Sequence, residues 1–286
     1  MSRRFEISGA NLAKPGTLRA PGYNPPSVPK GAALGNETLM ARPSGIDVSR
    51  WQGPIDWQAV KSAGIAFASI RATIGNSYTD DRFAENWQGA GAAGIFRAAY
   101  HVLRPDHDPI SQIARFAAVV GESGDLPHVL DVELTGEQPD RVIRERTLAC
   151  LQELEARLGR KPVVYTADWF WTPHIGAQTW VADYDLWVAH YYWPTVPEPK
   201  VPAGWLTWRF WQHSNRGQVV GVPARVDLDF FDGTMEELIA YAGGDPNPPP
   251  PPDIDRRVRN LERWAGEVDT WARGQGYDGV PPTGTG

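Results

Sequence analysis

The sequence predicts an α/β fold, a modified TIM-like barrel, on three observations. Between about residues 45 and 243, short apolar runs alternate with helical patterns. Toward the end of that stretch the helical spacers disappear and bare strands remain, as in a parallel barrel whose last third has lost its helices. The flanking segments, rich in proline, glycine or heptad-spaced residues, lack the composition of a core. At 286 residues the chain holds one large domain with short accessory segments.

The alternation sets the expected elements in order. A strand over Ser44–Val48 and a helix over Asp56–Ser62 come first, then a strand over Phe67–Ala72 and a helix over Asp81–Gly89. Strand Ile95–Val102, helix Ile110–Val120, strand His128–Leu134 and helix Pro139–Leu158 continue the rhythm. Strand Pro162–Thr166 and a short helix near Trp169–Ile175 follow. Bare strands are expected at Leu186–His190, Thr207–His213 and Val226–Phe230, and a helix over Thr234–Ala242 closes the domain.

Residues 1–44 form a basic arm with six prolines, five glycines and a net charge of +4. An extended or unstructured course is expected there, since so little apolar surface cannot support a core. Residues 244–253 contain five consecutive prolines and read as a stiff spacer. Beyond it, Ile254, Val258, Leu261, Ala265, Val268 and Ala272 recur at heptad spacing, so residues 254–273 are expected to form an amphipathic helix. That helix folds back on the barrel, pairs with a second copy or docks to another protein. Residues 274–286 read as a loose tail.

Composition narrows the function. The net charge of −6 and the lack of any basic run longer than two residues disfavour nucleic acid. No apolar run reaches membrane-spanning length, so no membrane partner is expected. Cys150 is the single cysteine, which excludes an intrachain disulfide and a cysteine-based metal site. Ser2-Arg3-Arg4-Phe5 lacks the apolar stretch of an export signal.

Several motifs reduce to structure. Gly89-Ala90-Gly91-Ala92-Ala93-Gly94 matches a dinucleotide-binding pattern but follows a helix and precedes a strand, the reverse of the required order. His101 and His107, with Asp106 and Asp108, read as a polar loop, since no metal-binding helical spacing accompanies them. Neither a metal nor a cofactor is expected. No G-x-S-x-G elbow is present for a serine hydrolase. Of the thirteen tryptophans most must be core, with Trp169, Trp171, Trp193, Trp205, Trp208 and Trp211 candidates for stacking on sugar rings.

The chemistry-bearing motif is Leu130-Asp131-Val132-Glu133. On a strand, the i, i+2 spacing turns Val129, Asp131 and Glu133 to one face and Leu130, Val132 and Leu134 to the other, toward covering helices. An acid pair at a strand end suits protonation of a glycosidic oxygen beside a developing oxocarbenium charge. Asp47 lies at the end of the first expected strand and Asp227 at the end of the last. First and last strands are neighbours in a closed barrel, so Asp47, Asp131, Glu133 and Asp227 are expected at one rim, with at least one pKa raised.

These blocks resemble the glycoside hydrolase family 25 lysozymes, the Chalaropsis-type muramidases. The resemblance rests on Gly45-Ile46-Asp47-Val48-Ser49-Arg50-Trp51-Gln52-Gly53, Ile55-Asp56-Trp57, Tyr78-Thr79-Asp80-Asp81-Arg82-Phe83 with Asn86, Tyr100-His101 and Leu130-Asp131-Val132-Glu133. Val164-Tyr165-Thr166, Leu186-Trp187-Val188-Ala189, Trp211-Gln212-His213-Ser214 and Val226-Asp227-Leu228-Asp229-Phe230 continue it in the same order. It covers about residues 45–243 and implies a (β/α)5(β)3 barrel that cleaves the β-1,4 bond between N-acetylmuramic acid and N-acetylglucosamine in bacterial peptidoglycan.

By this resemblance Glu133 is the general acid, Asp131 assists the charge at the reacting centre, and Asp47 and Asp227 bind substrate and tune their neighbours; the expected route is retention assisted by the substrate's acetamido group, with a direct carboxylate nucleophile as the alternative. Tyr100, Tyr165, Trp187, Tyr191, Trp211, Asp80 and Asp229 complete the expected groove. Many relatives carry Lys-Ala-Thr-Glu-Gly where this chain has Arg71-Ala72-Thr73-Ile74-Gly75. A wall-binding or virion module that kept the groove without turnover is the alternative. The lack of a signal peptide points to a phage-released, virion-borne or non-Sec exported protein acting on the cell wall.

Overall fold

The computed structural model describes residues 42–121, 124–191 and 198–243. The basic arm before residue 42, the proline spacer, the heptad segment and the tail, with Trp193, lie outside the described residues. Strands are β1 (Ser44–Val48), β2 (Ile65–Ile74), β3 (Tyr78–Thr79), β4 (Phe96–Val102), β5 (Val129–Asp131), β6 (Val163–Ala167), β7 (Leu186–Ala189), β8 (Phe210–Gly217) and β9 (Val226–Phe231). Helices are α1 (Trp57–Ser62), α2 (Phe83–Ala92), α3 (Pro109–Val120), α4 (Asp140–Leu158), α5 (Asp168–His174) and α6 (Met235–Ala242).

Eight strands close into a barrel in the order β1, β2, β4, β5, β6, β7, β8, β9, with the short β3 appended to β2. All adjacent pairs from β1 through β8 are parallel. β9 alone among these barrel strands runs the other way, antiparallel to both β8 and β1. The expected first-to-last contact is present, but the last strand is reversed, so it is the start of β9 that meets the end of β1.

Local chemistry sets the helix starts. Asp56 caps α1 by accepting from the Ala59 N–H at 3.0 Å, and Asp108 caps α3 through Ser111 at 2.8 Å with Pro109 in the first turn. Thr234 and Glu237 form a reciprocal capping box on α6. The G-x-G-x-x-G segment is the end of α2 and its turn, as expected. A Cβ at Gly89 would lie 2.3 Å from the Trp57 ring, so the glycine permits α2 to seat on α1.

Period-two alternation divides the strand residues into two cores. Outward-facing Ile46, Val48, Ala68, Ile70, Ala99, Leu130, Val132 and Val164 pack under the helices with Ile113, Phe116, Ile143, Leu151 and Leu154. Inward-facing Phe67, Ala98, Val129, Val163, Trp187, Phe210 and Phe231 fill the barrel floor, joined by Leu238 and Tyr241 of α6. Trp187 stacks on Phe210 at 4.5 Å. Helix α6 follows the reversed β9 and seals the end of the barrel opposite the strand C-termini.

The helix-poor side is clad in tryptophan instead. Leu186, Val188, Trp208 and Trp211 form a separate cluster with Val201, Trp205 and Phe230 packed against it. The indole N–H groups of Trp205, Trp208 and Trp211 donate to the Tyr184 carbonyl, the Glu198 carboxylate and the His190 carbonyl, at 2.8, 2.8 and 2.7 Å. Trp171 is buried against Trp205 at 4.5 Å. Rigid rings with one satisfied donor suit an outer wall that lacks a helix to bury it.

Three local expectations are corrected. β5 is only three residues long, and Leu134 lies exposed at the mouth rather than under helices. His101 is no loop residue: it is buried on the outer face of β4, bonded to Thr73 at 2.7 Å and near Gln112 at 3.3 Å. β8 begins later and runs further than expected, to Gly217.

Candidate active site

Above the aromatic floor, the inward positions turn polar near the C-terminal ends of the parallel strands. Asp47 from β1, Arg71 from β2, Tyr100 from β4, Asp131 from β5, Tyr165 from β6 and Gln212 from β8 share this level with Asp227 and Asp229 of β9. Register ties them together. Asp47 is opposite Asp227, Arg71 opposite Tyr100, Asp131 opposite Tyr165, and Gln212 opposite Asp229. Glu133 lies two residues beyond Asp131, just past the strand, and its charge acts on Asp47, Asp131 and Asp227.

Gln212 organises the centre. Its amide N–H donates to Asp47 Oδ2 at 2.5 Å, while its carbonyl accepts from the hydroxyls of Tyr165 at 2.9 Å and Tyr191 at 2.6 Å. Asp47 and Asp227 are paired in the β1–β9 register, close enough that each shifts the other's pKa. Asp229, fully buried below, accepts from the Trp187 indole at 2.9 Å. One oxygen of Asp131, Oδ1, is buried without a hydrogen-bond partner.

Every carboxyl in this set is pushed upward. Burial raises Asp47 well above the ordinary aspartate value, and the Asp227 charge adds to it. Burial, then Glu133, then Asp47 raise Asp131 strongly, while the Arg71 guanidinium pulls it back. Burial alone raises Glu133. Asp227 rises to about 7 through burial and the Asp229 charge, and Asp229 is raised well above the ordinary value through burial and Asp47. Desolvation penalises each anion and neighbouring anions compound it, so the site retains protons that free carboxylates would release.

Arg71 brings positive charge to this level, and buried Asp80 holds it. Asp80 Oδ2 accepts from Arg71 Nε at 2.8 Å and from the Arg50 backbone at 3.1 Å, while Oδ1 accepts from the Arg82 backbone at 3.1 Å. The expected groove residue Asp80 is therefore an anchor for two rim segments, with its carboxylate enclosed.

Not all expected groove residues reach the opening. Tyr100, Tyr165 and Tyr191 line the polar level, and Tyr191 is well exposed. Trp187 belongs to the floor, and Trp211, 0% exposed, faces outward into the tryptophan wall because it is one residue out of phase with Gln212. Trp171 and Trp208 are buried, Trp205 is partly so, and Trp169 remains 69% exposed at the start of α5. Gln212 and Arg71 were not among the expected site residues. Period-two reading of β8 from Phe210 would have turned Gln212 inward.

A protonated carboxyl beside a second carboxylate, above an apolar floor and at an open rim, is equipped for acid-catalysed glycoside cleavage. The comparisons agree. The family model described as "Glycosyl hydrolases family 25" matches residues 46–222. Lysozyme M1 of Streptomyces globisporus is 39% identical over 210 residues, covering 69% of this chain and 70% of that protein. The uncharacterized protein YegX of Escherichia coli strain K12 is 41% identical over 206 residues, covering 70% and 73%. The crystal structure of the bacterial lysozyme from Streptomyces coelicolor matches with a TM-score of 0.65 and 37% identity, covering 71% of this chain and 98% of that one. With more than half its length matched by the family model and a barrel of the same fold, this chain belongs to the family 25 glycosyl hydrolases.

Proposed function

We propose that the chain is an N-acetylmuramidase, a lysozyme that cleaves the β-1,4 bond between N-acetylmuramic acid and N-acetylglucosamine in peptidoglycan. The observation that carries this reading is the meeting of Glu133, Asp131, Asp47 and Asp227 at one barrel mouth, in a chain similar to proteins named lysozymes.

Glu133 is the general acid. Burial disfavours its anion, so it carries a proton to the glycosidic oxygen. Asp131 acts beneath the reacting carbon. Arg71 favours its ionised form, which accepts the N–H of the substrate's 2-acetamido group. The carbonyl oxygen of that group attacks the anomeric carbon as the bond to the Glu133-protonated leaving sugar breaks, and water deprotonated by Glu133 then opens the cyclic intermediate, so the two displacements retain the configuration. Asp47, Asp227 and the Gln212 clamp hold the neighbouring wall in place and supply hydroxyl partners for the sugar.

Activity in this scheme falls as pH rises through the elevated Glu133 pKa, because the acid is then spent. A peptidoglycan zymogram tests the function. Clearing by the wild type and none by Glu133→Gln supports the muramidase, whereas wall binding by both without clearing supports a non-catalytic module. The proline run and heptad pattern beyond residue 243 suit a docking segment, so delivery as a phage lysin or as cargo of an injection device belongs to the same proposal. Light scattering with and without residues 246–286 checks self-association, which an unchanged monomer mass contradicts.

A further inference from the structure

Beside the barrel mouth lies an open depression of about 490 Å³ lined by Arg50, Trp51, Asp81, Arg82 and Glu85. Trp51, on the turn after β1, is 53% exposed, although an indole of this size is normally buried in a folded domain. The Arg50 guanidinium sits 4.6 Å from the centre of its ring, which holds the indole in place from one side. The depression is wired to the catalytic level through one carboxylate: Asp80 bonds the Arg50 backbone, the Arg82 backbone and the Arg71 side chain that faces Asp131.

We infer that this depression is an additional subsite for an uncharged N-acetylhexosamine ring of the glycan strand, stacked on Trp51 and remote from the bond being cut. The inference rests on the muramidase reading and extends it. Charge decides the ligand class. Arg50 pairs with Asp81 at 3.6 Å and Arg82 with Glu85 at 2.6 Å, so the two cations and two anions cancel and an anionic ligand finds no net attraction. The same four groups offer guanidinium donors and carboxylate acceptors at the edge of an aromatic face, the combination that a pyranose ring with apolar C–H faces and equatorial hydroxyls requires. The volume lies within the range of small-molecule sites.

The test uses the full chain carrying Glu133→Gln, which binds without turnover, and two N-acetylglucosamine oligomers, the trimer and the hexamer, followed by calorimetry. The hexamer is expected to bind about tenfold more tightly, as one stacked ring contributes about that factor. Adding Trp51→Ala is expected to abolish the difference, and Trp51→Tyr to restore most of it. In ¹⁵N spectra the Trp51 indole signal, identified by its loss in Trp51→Ala, is expected to shift with the hexamer and not with the trimer. Equal affinity for both lengths, or a length preference that survives Trp51→Ala in a protein with an unchanged melting temperature, overturns the inference. Those results leave the muramidase reading standing, which fails separately if the unsubstituted enzyme releases no reducing ends from cell walls.

Discussion

Asp47 and Asp227 face each other across the antiparallel seam between β1 and β9, and the Asp227 charge helps to raise the Asp47 pKa. Two acids from opposite ends of the domain are thus held at contact distance in a site that also contains Asp131, Glu133 and Asp229. Such a cluster exists only at a cost to the fold, and the cost has a pH signature.

Asp227 ordinarily ionises near 3.8 but rises to about 7 in the folded protein. Between those values the folded state keeps a proton that the unfolded chain has released, so stability falls as pH rises through this window. Thermal melts are expected to show a decreasing midpoint from about pH 4 to about pH 7. Asp227→Asn, which cannot ionise, is expected to flatten that slope and raise the midpoint at neutral pH by a few degrees. A slope unchanged by the substitution contradicts the raised Asp227 pKa.

Gln212→Leu removes the group that joins Asp47 to Tyr165 and Tyr191. Leaving buried polar groups without their partner costs about 1–3 kcal/mol, so kcat is expected to fall about tenfold to hundredfold with a smaller change in KM. Steady-state kinetics on soluble glycan fragments, with a melt to confirm folding, measures this.

Arg71→Met deprives the enclosed Asp80 of its ion pair, which spans 2.8 Å. Leaving a buried carboxylate uncompensated costs about 3–5 kcal/mol, so denaturant unfolding is expected to shift by that order, and Arg71→Lys by less. Loss of the guanidinium also raises Asp131 further, so the low-pH limb of the rate profile moves to higher pH. A stability loss with no movement of that limb restricts Arg71 to a structural role.

The barrel floor leaves no space at Gly45, where an added Cβ would lie 2.2 Å from the Phe67 ring. Gly45→Ala is expected to destabilise the protein by about 1–3 kcal/mol through overpacking, and to lower activity by displacing Asp47 two residues along the same strand. Combining it with Phe67→Leu, which frees space, is expected to recover part of the loss in a chemical melt.

Much of this was legible in the sequence. The strand–helix rhythm gave the barrel, and the i, i+2 spacing of Asp131 and Glu133 placed both on the inner side although the strand itself stops at Asp131. Asp227 stands opposite Asp47 because β9 is reversed, where the sequence pattern alone suggests a parallel last strand. Nothing local in Val226–Phe231 states that the strand is reversed; that depends on α6 capping the far end of the barrel. Tryptophans misled for a related reason. A Trp on a strand reads alike whether it faces a sugar or an outer wall, and Trp211 belongs to the aromatic wall that the missing helices make necessary. Gln212 and Arg71 carry no signal in the sequence, because the role of a neutral amide or a single arginine depends on the residues opposite it, Asp229 and Tyr100.

The most direct test of the central claim, that Glu133 hands its proton to a muramyl glycosidic oxygen, is mass spectrometry of wall fragments released by the wild type and by Glu133→Gln. The account predicts fragments ending in a reducing N-acetylmuramic acid from the wild type and none from a folded Glu133→Gln. Reducing N-acetylglucosamine ends, or undiminished release by the variant, contradict it.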